Sequence, residues 1–440
     1  MKNKVLYQLV FIAYGVILTV VRYILIRDQE IKFDPYDSIY YFDFKIFNAF
    51  RLPIITGIYS LIENYESIVL FQSLFSSLSW ILLMSSALTL LSNQKSKILL
   101  IVLLSGLSIS NLVIFRDYYL LGESLTLSSF LILVASFIFF LQKSSLLNLS
   151  FFLVALLLFS GIKTTNTLTV LIFILLLLPI FLLMWHKKVL SRYSFILLLL
   201  FLAIFSNFLH SSLSSEVTSQ LNTSSHINLR IWTNPDWRAQ LLDSGYPPEL
   251  RTIWKDRTEY NLGETPDQGV VNEAIYQSWW DSSGKSFLLN FMIKNPSYTF
   301  IGPFFLPFLN SNTNFSYTLF YGLSQDPNFF AKTESLAKLT NLYWPETRSL
   351  SYLALAIIFF LIGSLLFILT KFPLLIKNLT LMFFLFLFTI TWSYISWWFG
   401  SKPPSDILRH QESAAILIRV LAILSASQLI DIYTRKRKLI

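Results

Sequence analysis

The chain has no cysteine and only four histidines in 440 residues. The first absence excludes disulfides and thiolate metal sites, and the second leaves few ligands for an ordinary zinc site. Charge is scarce as well. Only 13% of the residues are Asp, Glu, Lys or Arg, against roughly 25% in a soluble domain. The sequence also lacks a glycine-rich phosphate loop, an HExxH helix and a nucleophile elbow. Nothing in it therefore points to a nucleotide cradle, a zincin or an α/β-hydrolase.

Apolar residues take the place of the missing charge. They make up 54% of the chain, and the mean hydropathy is +0.59. This composition predicts an all-α polytopic membrane protein. The formal charge of +9 does not indicate nucleic-acid binding, because no basic stripe interleaves with aromatics in a polar segment. The lysines and arginines instead collect in short connections between apolar runs.

Those runs cover residues 5–26, 68–91, 98–115, 125–141, 146–161, 168–185, 195–209, 350–370, 379–399 and 414–432. By length they predict about ten transmembrane helices, the first retained rather than cleaved as a signal peptide. Three parts follow. Residues 1–209 form an N-terminal module of about seven spans with a first outer loop at 27–67. Residues 210–349 form a large extracytoplasmic segment, and 350–440 a C-terminal module of about three spans with a basic tail. Lys95, Lys97, Lys143, Lys187, Lys188, Arg192, Lys371, Lys377 and the tail 435–438 occupy alternate connections, which contain no acid. The intervening connections hold Asp34, Asp37, Asp43, Asp117, Glu123 and Asp406. This asymmetry places both termini in the cytoplasm and the acidic connections outside. The segment 210–349 is too long to be structureless and is expected to fold. Within it, 286–307 is apolar but broken by Lys294, Asn295, Pro296, Pro303 and Pro307. An interfacial or re-entrant element is expected there.

The stretch 31–53 carries Asp34, Asp37 and Asp43 among eight aromatic residues. Carboxylates beside a membrane call for a polar cavity, a partner or a substrate. Asp37 is the leading candidate for a general base, although an aspartate there also suits a helix N-cap before Ser38. Asp34, before Pro35, reads as a turn residue and a second candidate, and Asp43 as a solvated face. Arg116 and Asp117 suit a surface ion pair. Glu123 suits the start of a helix. Lys163 is either a snorkelling anchor or a cation for a lipid-linked phosphate, with Thr164 and Thr165 as further donors. The last outer connection holds Asp406, Arg409, His410 and Glu412, and Arg419 follows within the tenth span. An arginine inside a span must face protein or water.

In order along the chain these residues form an Asp-Ser-x-x-Tyr element (Asp37 to Tyr41), a basic-x-Pro element (Arg51, Pro53) and a Glu-Ser-Leu (Glu123 to Leu125). A Lys-Thr-Thr (Lys163 to Thr165) and an Arg-His (Arg409, His410) complete the order. This pattern resembles the bacterial GT-C glycosyltransferases, the multispanning relatives of protein mannosyltransferases and aminoarabinose transferases. The stretch from Arg230 to Pro248 and the Trp280…Gly284…Pro296 stretch also look like some members. Lys163 stands where arginine is more usual, and Asp37-Ser38 replaces the Asp-Glu of the protein mannosyltransferases.

The resemblance implies a GT-C-like bundle in a bacterial inner membrane, with interfacial helices in the first outer loop. It also implies a polyprenyl-phosphate-sugar donor and a glycan, lipid or protein acceptor. An aspartate, Asp37 or Asp34, would activate the acceptor hydroxyl outside the membrane. Lys163, Arg409 and His410 would meet the donor phosphate, supported by Arg51, Arg116, Asp117, Glu123 and Arg419. Direct displacement needs no nucleotide site, so no cofactor is expected, while a divalent metal stays open. An O-antigen polymerase or ligase, and a lipid or solute transporter (flippase), are the alternative readings.

Overall fold

The computed structural model describes residues 2–27, 53–62, 64–118, 120, 122–174, 204–205, 216–256, 266–301, 357–358, 361–362, 364–365, 373–399 and 405–436. Asp34, Asp37, Asp43 and Arg51, and most of the apolar runs 168–185, 195–209 and 350–370, lie outside the described residues.

Among the described residues all regular structure is helical. The bundle contains α1 (Lys2–Arg27), α2 (Pro53–Ser60), α3 (Tyr65–Leu88), α4 (Gln94–Ser108), the short α5 (Asn111–Ile114), α6 (Glu123–Gln142), α7 (Leu146–Ser160) and α8 (Thr164–Ile174). The segment between the modules contributes α9 (Glu216–His226), α10 (Pro235–Asp243), α11 (Glu249–Asp256), α12 (Pro266–Val271), α13 (Ala274–Trp279) and α14 (Lys285–Lys294). Two helices near the C-terminus, α15 (Pro373–Phe399) and α16 (Ser405–Lys436), return to the bundle.

Side chains and turns set the helix boundaries. Asn64 accepts from the Ser67 amide at 2.7 Å, Asn93 from Lys95 at 2.9 Å and Ser145 from Asn148 at 3.3 Å, which caps α3, α4 and α7. Each bond satisfies an amide that has no partner within its own helix. The start of α4 is capped a second time from a distance. The Asp431 carboxylate of α16 accepts from the backbone amides of Ser92 at 2.9 Å and Asn93 at 2.6 Å.

Three described helical stretches are long and apolar enough to cross a membrane: Tyr65–Leu88, Glu123–Gln142 and Ile416–Thr434. Shorter apolar helices occur at Ile12–Leu25, Leu146–Ser160, Thr164–Ile174 and Leu379–Trp392. The surface fits membrane association. Ile12, Val16, Ile17, Val20, Tyr23 and Ile24 form one exposed helical stripe on α1, a pattern that favours lipid over water.

Inside, α3 packs along α6, α6 along α7, and α15 along α16. Ser73, Ser76, Ser77, Ser124, Ser128 and Ser129 are buried on α3 and α6. Small side chains of this kind let two helix backbones approach closely. Phe130, Phe159, Phe388 and Trp392 fill the space beside them, with the Phe130 and Phe388 ring centres 4.7 Å apart.

The described residues 216–256 and 266–301 are folded into a helical unit. Its core is aromatic: Tyr246, Tyr276, Trp279, Trp280, Phe287, Phe291 and Tyr298 are all buried. Helix α10 starts with Asn234 capping Asp236 and Trp237 ahead of Pro235, and it ends in a Schellman turn. Gly245, at φ +81°, donates to Leu242 O at 2.9 Å, and Tyr246 donates to Leu241 O at 3.4 Å. That left-handed residue turns the Tyr246 ring back into the core. The Trp280…Gly284 part of the family-like stretch has a packing reason. A Cβ on Gly284 would come within 2.8 Å of the Trp279 ring.

The apolar run beginning at 286 does not form one long helix. Helix α14 stops at Lys294, Asn295 breaks the hydrogen-bonding pattern, and a wider π turn covers Ser297–Ile301. At 1.5 Å per residue, α14 is about 15 Å long, half of the apolar thickness of a bilayer.

A buried ion-pair network as the candidate functional site

Two ionic contacts meet at the first turn of α6. Glu123 opens that helix, as expected of a carboxylate at a positive helix end. Its Oε1 lies 2.6 Å from Lys163 Nζ, and the two side chains are 6% and 13% exposed. Lys163 sits where the turn after α7 enters α8, and its carbonyl accepts from the amides of Asn166 at 3.0 Å and Thr167 at 3.1 Å. The Lys163 ammonium and the dipole of α6, which Glu123 opens, therefore act together on the Glu123 carboxylate. Thr164, Thr165 and Asn166 belong to the first turn of α8 rather than to a loop. Asn166 Nδ2 is bonded back to Phe159 O at 3.0 Å.

The neighbouring residue, Ser124, leads to the second contact. Its hydroxyl donates to Asp117 Oδ1 at 2.7 Å, while Asp117 Oδ2 forms an ion pair with Arg22 of α1. Arg22 also donates to Ser76 Oγ of α3 at 2.6 Å and to the carbonyl of Ser108 at the end of α4. One guanidinium thus ties four parts of the bundle together. Arg22, Arg116 and Asp117 are all buried.

This arrangement corrects several expectations. Arg116 and Asp117 are not a surface pair: both are buried, and Asp117 forms an ion pair with Arg22 of α1. Burial follows from the 3-10 turn Phe115–Tyr118, which folds against α3 and α6 instead of projecting outward. Lys163 is not a snorkelling anchor with an open head, because Glu123 holds it. Asp406, Arg409, His410 and Glu412 lie within α16, which runs unbroken from Ser405 to Lys436, and not in a loop. The side chains of 405–415 lie outside the described residues. Arg419 is buried within the bundle, as an arginine in a span must be.

Arg22 was missed by sequence reasoning, which read 5–26 as a plain span. The signal was present, since Arg22 is the single charged residue within the apolar run 5–26.

A second polar cluster fastens the aromatic unit to the bundle. His226 Nε2 lies 2.9 Å from the carbonyl of Trp398, in the last turn of α15. A carbonyl can only accept, so Nε2 carries the proton and Nδ1 accepts. Tyr298 OH lies 2.5 Å and Arg230 Nη1 3.1 Å from Nδ1. Burial first, and then the Arg230 charge, push the His226 pKa well below its usual value. The imidazole is neutral. Burial also raises the Tyr298 phenol to about 12. Deeper in the unit, Asp267 accepts from Ser224 at 2.9 Å, Ser225 at 2.7 Å and the Trp254 indole at 3.0 Å. Both clusters read as structural.

Among the described residues no group of three or more His, Asp or Glu side chains is placed to hold a metal ion. No protein-family model matches the chain, and no curated protein sequence matches it.

Proposed function

We propose that the chain is an integral-membrane glycosyltransferase of the GT-C type. It would have about ten spans, both termini in the cytoplasm and its site on the extracytoplasmic side. Its donor is a polyprenyl-phosphate-linked sugar and its acceptor a hydroxyl on a glycan, lipid or protein. The observation that carries this reading is the Lys163–Glu123 pair. Residues forty positions apart, from the Glu-Ser-Leu and Lys-Thr-Thr elements, meet at 2.6 Å and hold an anionic group at a helix N-terminus. A phosphate is favoured at such a position for the same reason as a carboxylate.

In the proposed reaction Asp37 takes the proton of the acceptor hydroxyl while its oxygen attacks the anomeric carbon. The bond from that carbon to the phosphate oxygen breaks, the configuration inverts, and polyprenyl phosphate leaves. Lys163, Arg409 and His410 stabilise the charge that develops on the phosphate. For Lys163 to do so, the phosphate takes over the contact that Glu123 makes in the free protein.

Purified protein in liposomes, offered a panel of polyprenyl-phosphate sugars, should release polyprenyl phosphate and form a glycoside. Asp37→Asn should reduce that turnover by about 100-fold or more, the usual contribution of a general base, and still bind donor. Wild-type turnover in the variant would remove Asp37 from the mechanism. Movement of the lipid-linked sugar between leaflets, without glycoside formation, would favour the flippase reading.

A further inference from the structure

The aromatic unit has one face that its own core does not use. On α14 and the π turn after it, Phe287, Phe291 and Tyr298 point inward and are buried. Leu289, Ile293 and Phe300 point the other way and are 62%, 72% and 59% exposed. With the exposed Pro296 they recur at intervals of four, three and four residues, which makes one apolar stripe along the segment. The exposed residues Lys285 and Lys294 stand at the two ends of α14.

The position of this stripe identifies what covers it. Tyr298 packs edge-on against Trp398, with ring centres 5.6 Å apart, and His226 bonds to the Trp398 carbonyl. Trp398 is the next-to-last residue of α15, an apolar helix of the bundle. The stripe is therefore carried beside the end of that helix, where a bilayer around the bundle would have its surface. Its chemistry fits that level: apolar residues with a break in the helix, bounded by lysines whose stems can lie along lipid while their heads stay wet.

We infer that Leu289, Ile293, Pro296 and Phe300 form a membrane-dipping edge that rests in the headgroup and upper acyl region of the leaflet beside Trp398. The partner is the lipid bilayer. This contact holds the aromatic unit against the membrane and does not depend on the transfer reaction proposed above.

The absence of native cysteine allows a direct test on the full chain in liposomes. Single variants Leu289→Cys, Ile293→Cys and Phe300→Cys carry an environment-sensitive fluorophore. Asp281→Cys serves as a water-exposed control and Ile17→Cys as a lipid-facing one. At an insertion depth of about 5–10 Å, lipids with a nitroxide near the headgroup should quench the three labels. The quenching should be at least about twofold stronger than with a nitroxide near the chain end. Aqueous iodide should quench Asp281→Cys but not these three. A second variant, Ile293→Asp, should make the label at residue 300 accessible to iodide. Quenching of the three labels by iodide alone would overturn the inference. Protection from both quenchers would overturn it as well, because a second copy or another part of the chain would then cover the face. Either result leaves the transfer reaction to be judged by its own assay.

Discussion

Lys163 Nζ and Glu123 Oε1, 2.6 Å apart, join the start of α8 to the start of α6 and leave neither charge open to bulk water. Truncating one partner strands the other in a largely dry site. Lys163→Met or Glu123→Gln alone should each cost about 3 kcal/mol of stability. The double variant should cost less than the sum, by roughly 1–3 kcal/mol. Unfolding of the purified protein in mixed micelles reads this coupling, and strict additivity would show that the contact contributes nothing.

Arg22 should resist conservative replacement. Its guanidinium serves Asp117, Ser76 and the Ser108 carbonyl together, whereas a lysine offers one compact charge. Arg22→Lys should therefore lower the thermal midpoint clearly, with a loss of about 2 kcal/mol, and Arg22→Met about 4 kcal/mol. Asp117→Asn should resemble Arg22→Met, because it leaves that guanidinium buried beside a neutral amide.

Gly245 is the one described glycine with a positive φ. Gly245→Ala meets no neighbouring atom, so any loss comes from the backbone alone. About 1–2 kcal/mol is expected, with Gly245→Asn milder because asparagine tolerates the left-handed region. Near-ultraviolet circular dichroism of the surrounding tryptophans during heating would report it.

The neutral, buried His226 makes the aromatic unit acid-sensitive. Its folded pKa is depressed, so the unfolded chain takes up the proton first. Stability is whole above the free imidazole value of about 6.5 and falls as the pH drops below it, by up to about 1.4 kcal/mol per pH unit. Thermal melts between pH 7 and pH 5 should show this decline, and His226→Gln should flatten it. A flat profile in the parent chain would mean that His226 accepts its proton in the folded state.

The amount legible in the sequence varied with the type of residue. Apolar run lengths located α3, α6 and α7 to within a few residues, because burial in lipid or in the bundle is a property of whole stretches. The helix start at Glu123 was also readable, since it depends on local chemistry. Pairing was not. Nothing local links Arg22 to Asp117 across 95 positions or His226 to Trp398 across 172. The same limit made Arg116 and Asp117 look like surface residues, since their burial depends on α3 and α6 closing over the turn. The break after Lys294 was legible because Asn295-Pro296 acts on the backbone at that point.

The Asp431 cap on α4 also sets a schedule. The amides of Ser92 and Asn93 reach their carboxylate only when a residue 339 positions later than Ser92 has left the ribosome. At about 5–20 residues per second that interval is roughly 20–70 s. Throughout it, the entrance to α4 must be satisfied by water or by another protein. Synthesis therefore passes through a long-lived form in which α4 has its Asn93 cap and lacks its distant one. Helix α16 closes a polar gap opened when α4 was made.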